Sequence, residues 1–308
     1  MTARSPARLR DARTLPGLDT PGLVDARLLP DAGLARSWDA IHLPEDFKAR
    51  LLRQAVTIFR LRPAVSFELL PLHGVILLTG PPGVGKTTVA RGLADRVAHA
   101  VQGIGTFAFI ELDPHALTSS SLGRSQKAVE HLFREVLAEQ AVAGPLIVLI
   151  DEVETIATDR SQLSLDTNPV DVIRAVDAAL VGLDRLARSF DNVLIVATSN
   201  LTEHIDPALA SRSDFTCHVP LPDATAREAI LRETVTAVAK TFSGAKSLLD
   251  PASMRAAVGA SDGLDGRRLR KAVAAAVAMR AEGQANPDRV TPADLTSALR
   301  ESANGTTP

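Results

Sequence analysis

Residues 73–98 read HGVILLTGPPGVGKTTVARGLADRVA, and this stretch decides the fold. Val75–Leu78 is an unbroken apolar run, the pattern of a strand buried on both faces. Gly80-Pro81-Pro82-Gly83-Val84-Gly85-Lys86-Thr87 fills G-x-x-x-x-G-K-[ST] at every fixed position. Val89, Ala90, Leu93, Ala94 and Val97 then recur at helical spacing. A strand, a glycine-rich loop and a helix in that order form a phosphate cradle. The glycines let backbone N–H groups curl round an oxyanion, and the helix N-terminus adds partial positive charge. Lys86 is placed for the β- and γ-phosphates and Thr87 for Mg²⁺, and Thr88 beside it is a further candidate for binding the nucleotide.

A second stretch completes the nucleotide signature. Leu146–Ile150 is apolar throughout and ends in Asp151-Glu152. That places two carboxylates at the carboxyl end of a buried strand, where open α/β sheets bind ligands. Asp151 suits the metal through water, and Glu152 suits polarising the attacking water. The run Val193–Ser199 ends in Asn200, at the tip of a further strand. A polar group there orients a water or caps a helix.

The rest of the chain sets the frame. It has 308 residues, 45% apolar and 23% charged, with net charge −2. These values describe a globular chain with no general drive toward nucleic acid or anionic lipid. Tyrosine is absent and Trp38 is the one tryptophan, so base-stacking platforms are not expected. Cys217 stands alone, which suits a reducing compartment. No apolar run approaches the ~20 residues of a membrane helix, and the N-terminal residues lack a signal-peptide core. The expectation is a cytoplasmic protein with no membrane partner. Strands at 107–112, 146–150 and 193–197 alternate with helices near 127–141 and 170–186. This predicts an α/β fold: a parallel sheet covered by helices on both faces. Beyond Pro220-Leu221-Pro222 only helices are expected, near 224–240, 251–259, 264–281 and 291–301. The predicted organisation is a flexible arm over 1–36, a large α/β domain over 37–220, a small all-helical lid over 221–301 and a disordered tail over 302–308.

The order of the motifs resembles the AAA+ ATPases: phosphate loop, DE strand, TSN strand, then IDPALASRSDF (205–215) and GLDGR (263–267). The resemblance implies rings, usually hexamers, with active sites at subunit interfaces and Mg-ATP as the cofactor. It makes Asn200 the first sensor and Arg212 the arginine finger reaching a neighbour's γ-phosphate. It makes Arg267 the second sensor; read without the resemblance, the run Arg267, Arg268, Arg270 and Lys271 is also the pattern of a charged, solvated helix face.

IDEVETIA (150–157), NPVDVIRAVDAALVGLDRL (168–186) and GLDGRRLRK (263–271) narrow the resemblance to the pachytene-checkpoint family. Its members open the closed state of HORMA-domain proteins. SWDAIHLPEDFKARLL (37–52) resembles that family's lead-in and would set Ile41 and His42 near the adenine. Eukaryotic members carry a folded adaptor domain ahead of the ATPase. The short arm here resembles bacterial members found in anti-phage operons with a HORMA protein and a cyclic-oligonucleotide synthase. Two other classes fit the residues less well. A DNA-associated clamp or helicase loader calls for a basic stripe or aromatic platform, and the chain offers neither. A low-turnover nucleotide switch or scaffold has no use for Glu152 or Arg212. No N-K-x-D guanine signature occurs, which favours ATP over GTP.

Ser119–Ser125 occupies the place of the central pore loop, with Leu122 as its one large apolar residue and Arg124 as its charge. Leu122 either grips substrate or packs on its own domain. Under the gripping reading, Leu122→Ala keeps basal ATPase and ring formation but loses remodelling of a HORMA protein and substrate-stimulated ATPase. Destabilisation of the isolated subunit by ~2–5 kcal/mol on urea unfolding would instead assign Leu122 to the core.

Overall fold

The computed structural model describes residues 13–117, 124–155, 169–200, 205–281 and 286–305. Six strands form one sheet: β1 (Leu23–Leu29), β2 (Val75–Thr79), β3 (Phe107–Leu112), β4 (Leu146–Ile150), β5 (Val193–Ser199) and β6 (Phe215–His218). Their spatial order is β1-β3-β4-β5-β2-β6. All pairings are parallel except β1 with β3. Around the sheet lie α1 (Ala32–Ala40), α2 (Glu45–Leu61), α3 (Lys86–Ala100), α4 (Arg124–His131), α5 (Leu137–Ala143), α6 (Pro169–Ser189) and the short α7 (Pro207–Arg212).

Strand side chains alternate between two cores, which explains why the central strands are apolar at every position. Val75, Leu77, Val148 and Ile195 face a core completed by α4, α5 and α6. Ile76, Leu78, Leu149 and Val196 face the opposite core, completed by α1, α2 and α3. Past Pro222 come α8 (Ala224–Ala239), α9 (Pro251–Ala260), α10 (Gly266–Ala278) and α11 (Pro292–Ala303). They close on a third core of their own around Leu231, Leu248, Leu269 and Leu299. Thr291 and Asp294 cap α11 reciprocally, with Pro292 at its first turn.

The register brings the predicted chemistry to one edge. Ile150 pairs with Ala197 and Thr79 pairs with Ser199. Asp151 therefore emerges beside Thr198, and Gly80 beside Asn200. At the opposite end, Asp214 ties β6 to the start of β2. Its carboxylate accepts the backbone N–H groups of His73 (2.9 Å), Gly74 (2.6 Å) and Val75 (3.0 Å).

Three expectations are corrected. The arm predicted over 1–36 contains, within its described residues, β1 and most of α1. Arg13 donates to the carbonyls of Thr106 and Pro145 at 2.8 Å each, holding the lead-in to β1 against the sheet; burial lowers its pKa to about 10. The sheet is not wholly parallel, because β1 adds to β3 in reverse. The helix expected over 127–141 is three pieces, with a π-helical segment at Leu132–Val136 between α4 and α5. Phe133 of that segment packs so closely on Gly182 of α6 that a Cβ there would meet its ring. Among the described residues, no helix is long and apolar enough to cross a membrane.

Helix α1 leads into the segment at Ile41 and His42, and it seats on α3 through Gly92. An added Cβ at Gly92 would stand 2.6 Å from the Trp38 backbone nitrogen and 2.7 Å from its Cα. Helix propensity alone makes Gly92→Ala stabilising by about 0.8–1.0 kcal/mol. A clash with backbone costs about 1–3 kcal/mol. Gly92→Ala is therefore expected to lower the denaturant midpoint, and a higher midpoint would show that α1 does not pack as described.

Candidate active site

The loop between β2 and α3 takes its shape from glycine. Gly85, at the N-cap of α3, has φ 96°, which side chains rarely adopt, and Ile41 packs directly over it. Gly83 has φ 83°, and the Asp265 carboxylate stands against it. Asp265 also caps α10, accepting from the backbone of Arg267 at 2.8 Å and Arg268 at 2.9 Å. One carboxylate thus sets the start of α10, and with it Arg267, beside the phosphate loop.

Lys86 is buried, and its Nζ donates to the carbonyls of Gly80 (2.8 Å) and Pro81 (2.9 Å) and to Asn200 Oδ1 (2.7 Å). Desolvation lowers its pKa; Glu154, Asp151 and Glu152 pull the other way, and Arg267 adds to the lowering. The Thr87 hydroxyl donates to Asp151 Oδ1 at 2.7 Å, and the Thr198 hydroxyl donates to the same oxygen at 2.5 Å. Glu152 turns into the left-handed region with φ 52°. Its backbone N–H meets Thr198 Oγ1 at 3.1 Å. Its carboxylate accepts from Asn200 Nδ2 at 3.1 Å and contacts His115 Nε2 at 3.0 Å. Asn200 thus joins the network: its oxygen accepts from Lys86 and its nitrogen donates to Glu152.

A cleft of about 530 Å³ opens over these groups, within the range of cofactor sites. It gathers Pro82, Gly83, Val84, Gly85, Lys86, Thr87 and Thr88 of the loop with Asp151, Glu152, Asn200 and Arg267. Ile41 and His42 line it from the side. Gly80 does not line the cleft; its carbonyl accepts from Lys86 Nζ. His42 Nε2 stands 3.3 Å from Glu233 on α8, and Arg270 Nη2 stands 3.4 Å from the same carboxylate. The helical unit therefore closes one wall.

Arg212 does not line this cleft. It ends α7, with its guanidinium held by Asp184 of α6. Leu122 lies outside the described residues; Arg124 begins α4, and its side chain lies outside them too. Several lining residues escaped the sequence reading: Arg91, Thr198, Pro220, Ile230 and Arg270. Arg91 had one visible signal. Glu111 is a lone charge within the apolar strand β3, and Arg91 Nε meets it at 2.8 Å. A buried carboxylate calls for such a partner.

The donors fit Mg²⁺. Thr87 and Asp151 offer hard oxygens side by side, and Mg²⁺ is commonly held by one or two carboxylates together with substrate phosphates. Among the described residues no group of three or more His, Cys, Asp or Glu side chains is placed to hold a metal unaided.

A P-loop at the carboxyl edge of this sheet, an acidic pair on the next strand but one and a polar strand tip define a nucleotide-binding domain of the ATPase class. Residues 76–221 match the model of the ATPase family associated with various cellular activities. The chain is 48% identical to CD-NTase-associated protein 6 of Pseudomonas aeruginosa, over 89% of this chain and 90% of that protein. It is 36% identical to the pachytene checkpoint protein 2 homolog of Danio rerio, over 65% of this chain and 47% of that one. The chain thus spans about half the length of that eukaryotic relative. Among solved structures, C. elegans PCH-2 superposes with TM-score 0.70 at 25% identity, covering 92% of this chain and 76% of that chain. A chain of the E. coli MS115-1 HORMA:CdnC:Trip13 complex shares the fold, with TM-score 0.73 at 18% identity over 96% and 98% of the two chains. The chain belongs to the AAA ATPases, in the family of the pachytene checkpoint proteins and CD-NTase-associated protein 6.

Lys86→Ala removes the one lysine in the cradle. Charged hydrogen bonds contribute about 1.5–3 kcal/mol. Loss of one such bond corresponds to roughly 10- to 150-fold in Kd. Calorimetric titration with ATP is expected to show at least that loss, and an unchanged Kd would remove Lys86 from nucleotide binding.

Proposed function

We propose that the protein hydrolyses ATP in a homo-hexameric ring and uses the energy to open or disassemble a HORMA-domain protein. The observation that carries the hydrolytic reading is the Lys86–Asn200–Glu152 network at the mouth of the cleft. It sets a phosphate ligand, a water-orienting amide and a carboxylate base within one hydrogen-bonded chain. The loop backbone and Lys86 bind the phosphates. Ile41 and His42 flank the base. Glu152 takes the proton of the attacking water, which Asn200 orients. Thr87 and Asp151 would hold Mg²⁺, which when bound neutralises charge on the phosphates. Arg267 reaches the same nucleotide from the lid, and Arg212 acts across the ring on the neighbour's nucleotide. The position of Arg212 away from its own subunit's cleft supports that assignment.

The substrate class rests on motif resemblance and on 48% identity with CD-NTase-associated protein 6 across nearly the whole of both chains. We assign the chain to regulation of an anti-phage cyclic-oligonucleotide signalling system on the same grounds. Leu122 and Arg124 serve as the pore loop, and residues 221–301 serve as the lid of the ATPase domain.

Glu152→Gln is expected to bind ATP normally and to lose turnover, because an amide cannot accept the water's proton. It should hold a HORMA protein in a stable ring, visible by size-exclusion chromatography. Arg212→Ala is expected to lose about 10³–10⁵ in rate while still binding ATP. Mixed with Glu152→Gln, it should regain activity at interfaces where an intact base meets an intact finger. Near wild-type hydrolysis by the Glu152→Gln ring, or no rescue in verified mixed rings, would count against these roles.

A further inference from the structure

The Arg212 guanidinium is already half engaged within its own subunit. Its Nε donates to Asp184 Oδ1 and its Nη2 to Asp184 Oδ2, each at 2.7 Å. Its Nη1 donates to the Ala208 carbonyl, one turn back on α7, also at 2.7 Å. A guanidinium has five N–H groups. These contacts use three and leave one on Nη1 and one on Nη2, without a partner among the described residues. Each nitrogen therefore keeps one N–H for an incoming phosphate oxygen, a partner that arginine binds strongly.

The clamp is itself braced. His73 Nε2 stands 3.3 Å from Asp184 Oδ1, and the His73 ring packs edge-on against Phe67 at 5.1 Å between centroids. The His73 backbone N–H is held by Asp214, two residues past Arg212. His73 immediately precedes Gly74 and strand β2, which carries the phosphate loop. The base of α7, the clamp on α6 and the entry to β2 therefore meet at one histidine. The electrostatics agree: the Arg212 hydrogen bond lowers the Asp184 pKa, and the Asp184 hydrogen bond raises that of Arg212.

We propose that Asp184, braced by His73, is the positioning residue of the trans-acting arginine: it fixes the Arg212 guanidinium so that its remaining N–H groups are presented to the neighbouring subunit's nucleotide. This rests on the reading of Arg212 as a finger. Arginine is long and samples many rotamers, and a bidentate carboxylate removes that freedom before ATP arrives. A displacement of about 1 Å at a reacting group can cost about 10²-fold in rate.

The test is Asp184→Asn, which keeps the shape and one acceptor oxygen. At saturating ATP its turnover is expected to fall by about 10²-fold with KM for ATP unchanged, because its own cleft is intact. Mixed rings with Glu152→Gln should recover activity, since the Glu152→Gln subunit supplies a correctly held finger to the Asp184→Asn subunit's intact base. His73→Ala should give a smaller loss, rescued in the same way, and His73→Gln, which keeps an N–H donor, should retain activity. A merely structural defect would lie in cis and escape rescue. Turnover at or above wild type in Asp184→Asn would overturn the proposal, as would rescue of Arg212→Ala without rescue of Asp184→Asn and His73→Ala. If Arg212→Ala itself is not rescued, the finger reading fails and this inference falls with it.

Discussion

Two hydroxyls converge on one oxygen of Asp151, and the site depends on that convergence. Thr87 belongs to the first turn of α3 and Thr198 to the end of β5, while Asp151 follows β4. The three elements are joined where their backbones would otherwise diverge. Each donor satisfies a carboxylate that lies partly out of water, and a partner lost there would leave its charge uncompensated. The neighbouring strands supply the rigidity. Every residue of β2, β4 and β5 is buried, so the strand ends have little room to shift. Backbone register, set by apolar packing on both faces, is thereby translated into the placement of polar atoms at one edge.

The cleft also shows how one chain assembles a site from separate cores. Its floor belongs to the sheet, with Ile41 and His42 on the α1–α2 side, while Arg267 and Arg270 start from the helical unit. Contact between these parts is polar and sparse: Asp265 against Gly83, and Glu233 shared by His42 and Arg270. Exposed ion pairs of this kind contribute little to stability, commonly 0–1 kcal/mol. The helical unit keeps its own buried core, around Leu231, Leu248, Leu269 and Leu299, apart from the two cores that flank the sheet.

Much of this was legible because the determining signals are local. The phosphate loop is contiguous, its glycines mark the turn, and the central strands are apolar throughout because both faces are covered. The C-terminal helices carry capping residues that can be read directly, Thr291 and Asp294 among them. What escaped depends on distant partners. Strand β1 is an edge strand carrying Asp25 and Arg27, held by backbone pairing to β3, so neither period nor apolarity marks it. Strand β6 has four residues and is only partly buried. The π-helical segment carries Phe133 against Gly182, a contact across nearly fifty positions that no local propensity encodes. The site was legible in its motifs and hidden in its supports: Arg91 with Glu111, Asp265 with Gly83, and Asp184 with Arg212.

Glu152 shows why adjacency in sequence is not equivalence in space. In a regular strand, Asp151 and Glu152 would face opposite sides of the sheet. At φ 52° the chain instead enters the left-handed region, which costs a non-glycine residue about 1–3 kcal/mol. Glycine would relieve that strain but would carry no carboxylate. The turn is held by the Glu152 N–H on Thr198 Oγ1, the hydroxyl that also serves Asp151. A single threonine therefore sets the two acids on divergent paths, Asp151 toward Thr87 and Glu152 toward Asn200 and His115. His115 lies in the short helical turn after β3, just before residues 118–123. The carboxylate's surroundings thus extend from Lys86, through Asn200, to His115. Strain at Glu152 is the local cost of placing one side chain where both connections are within hydrogen-bond reach.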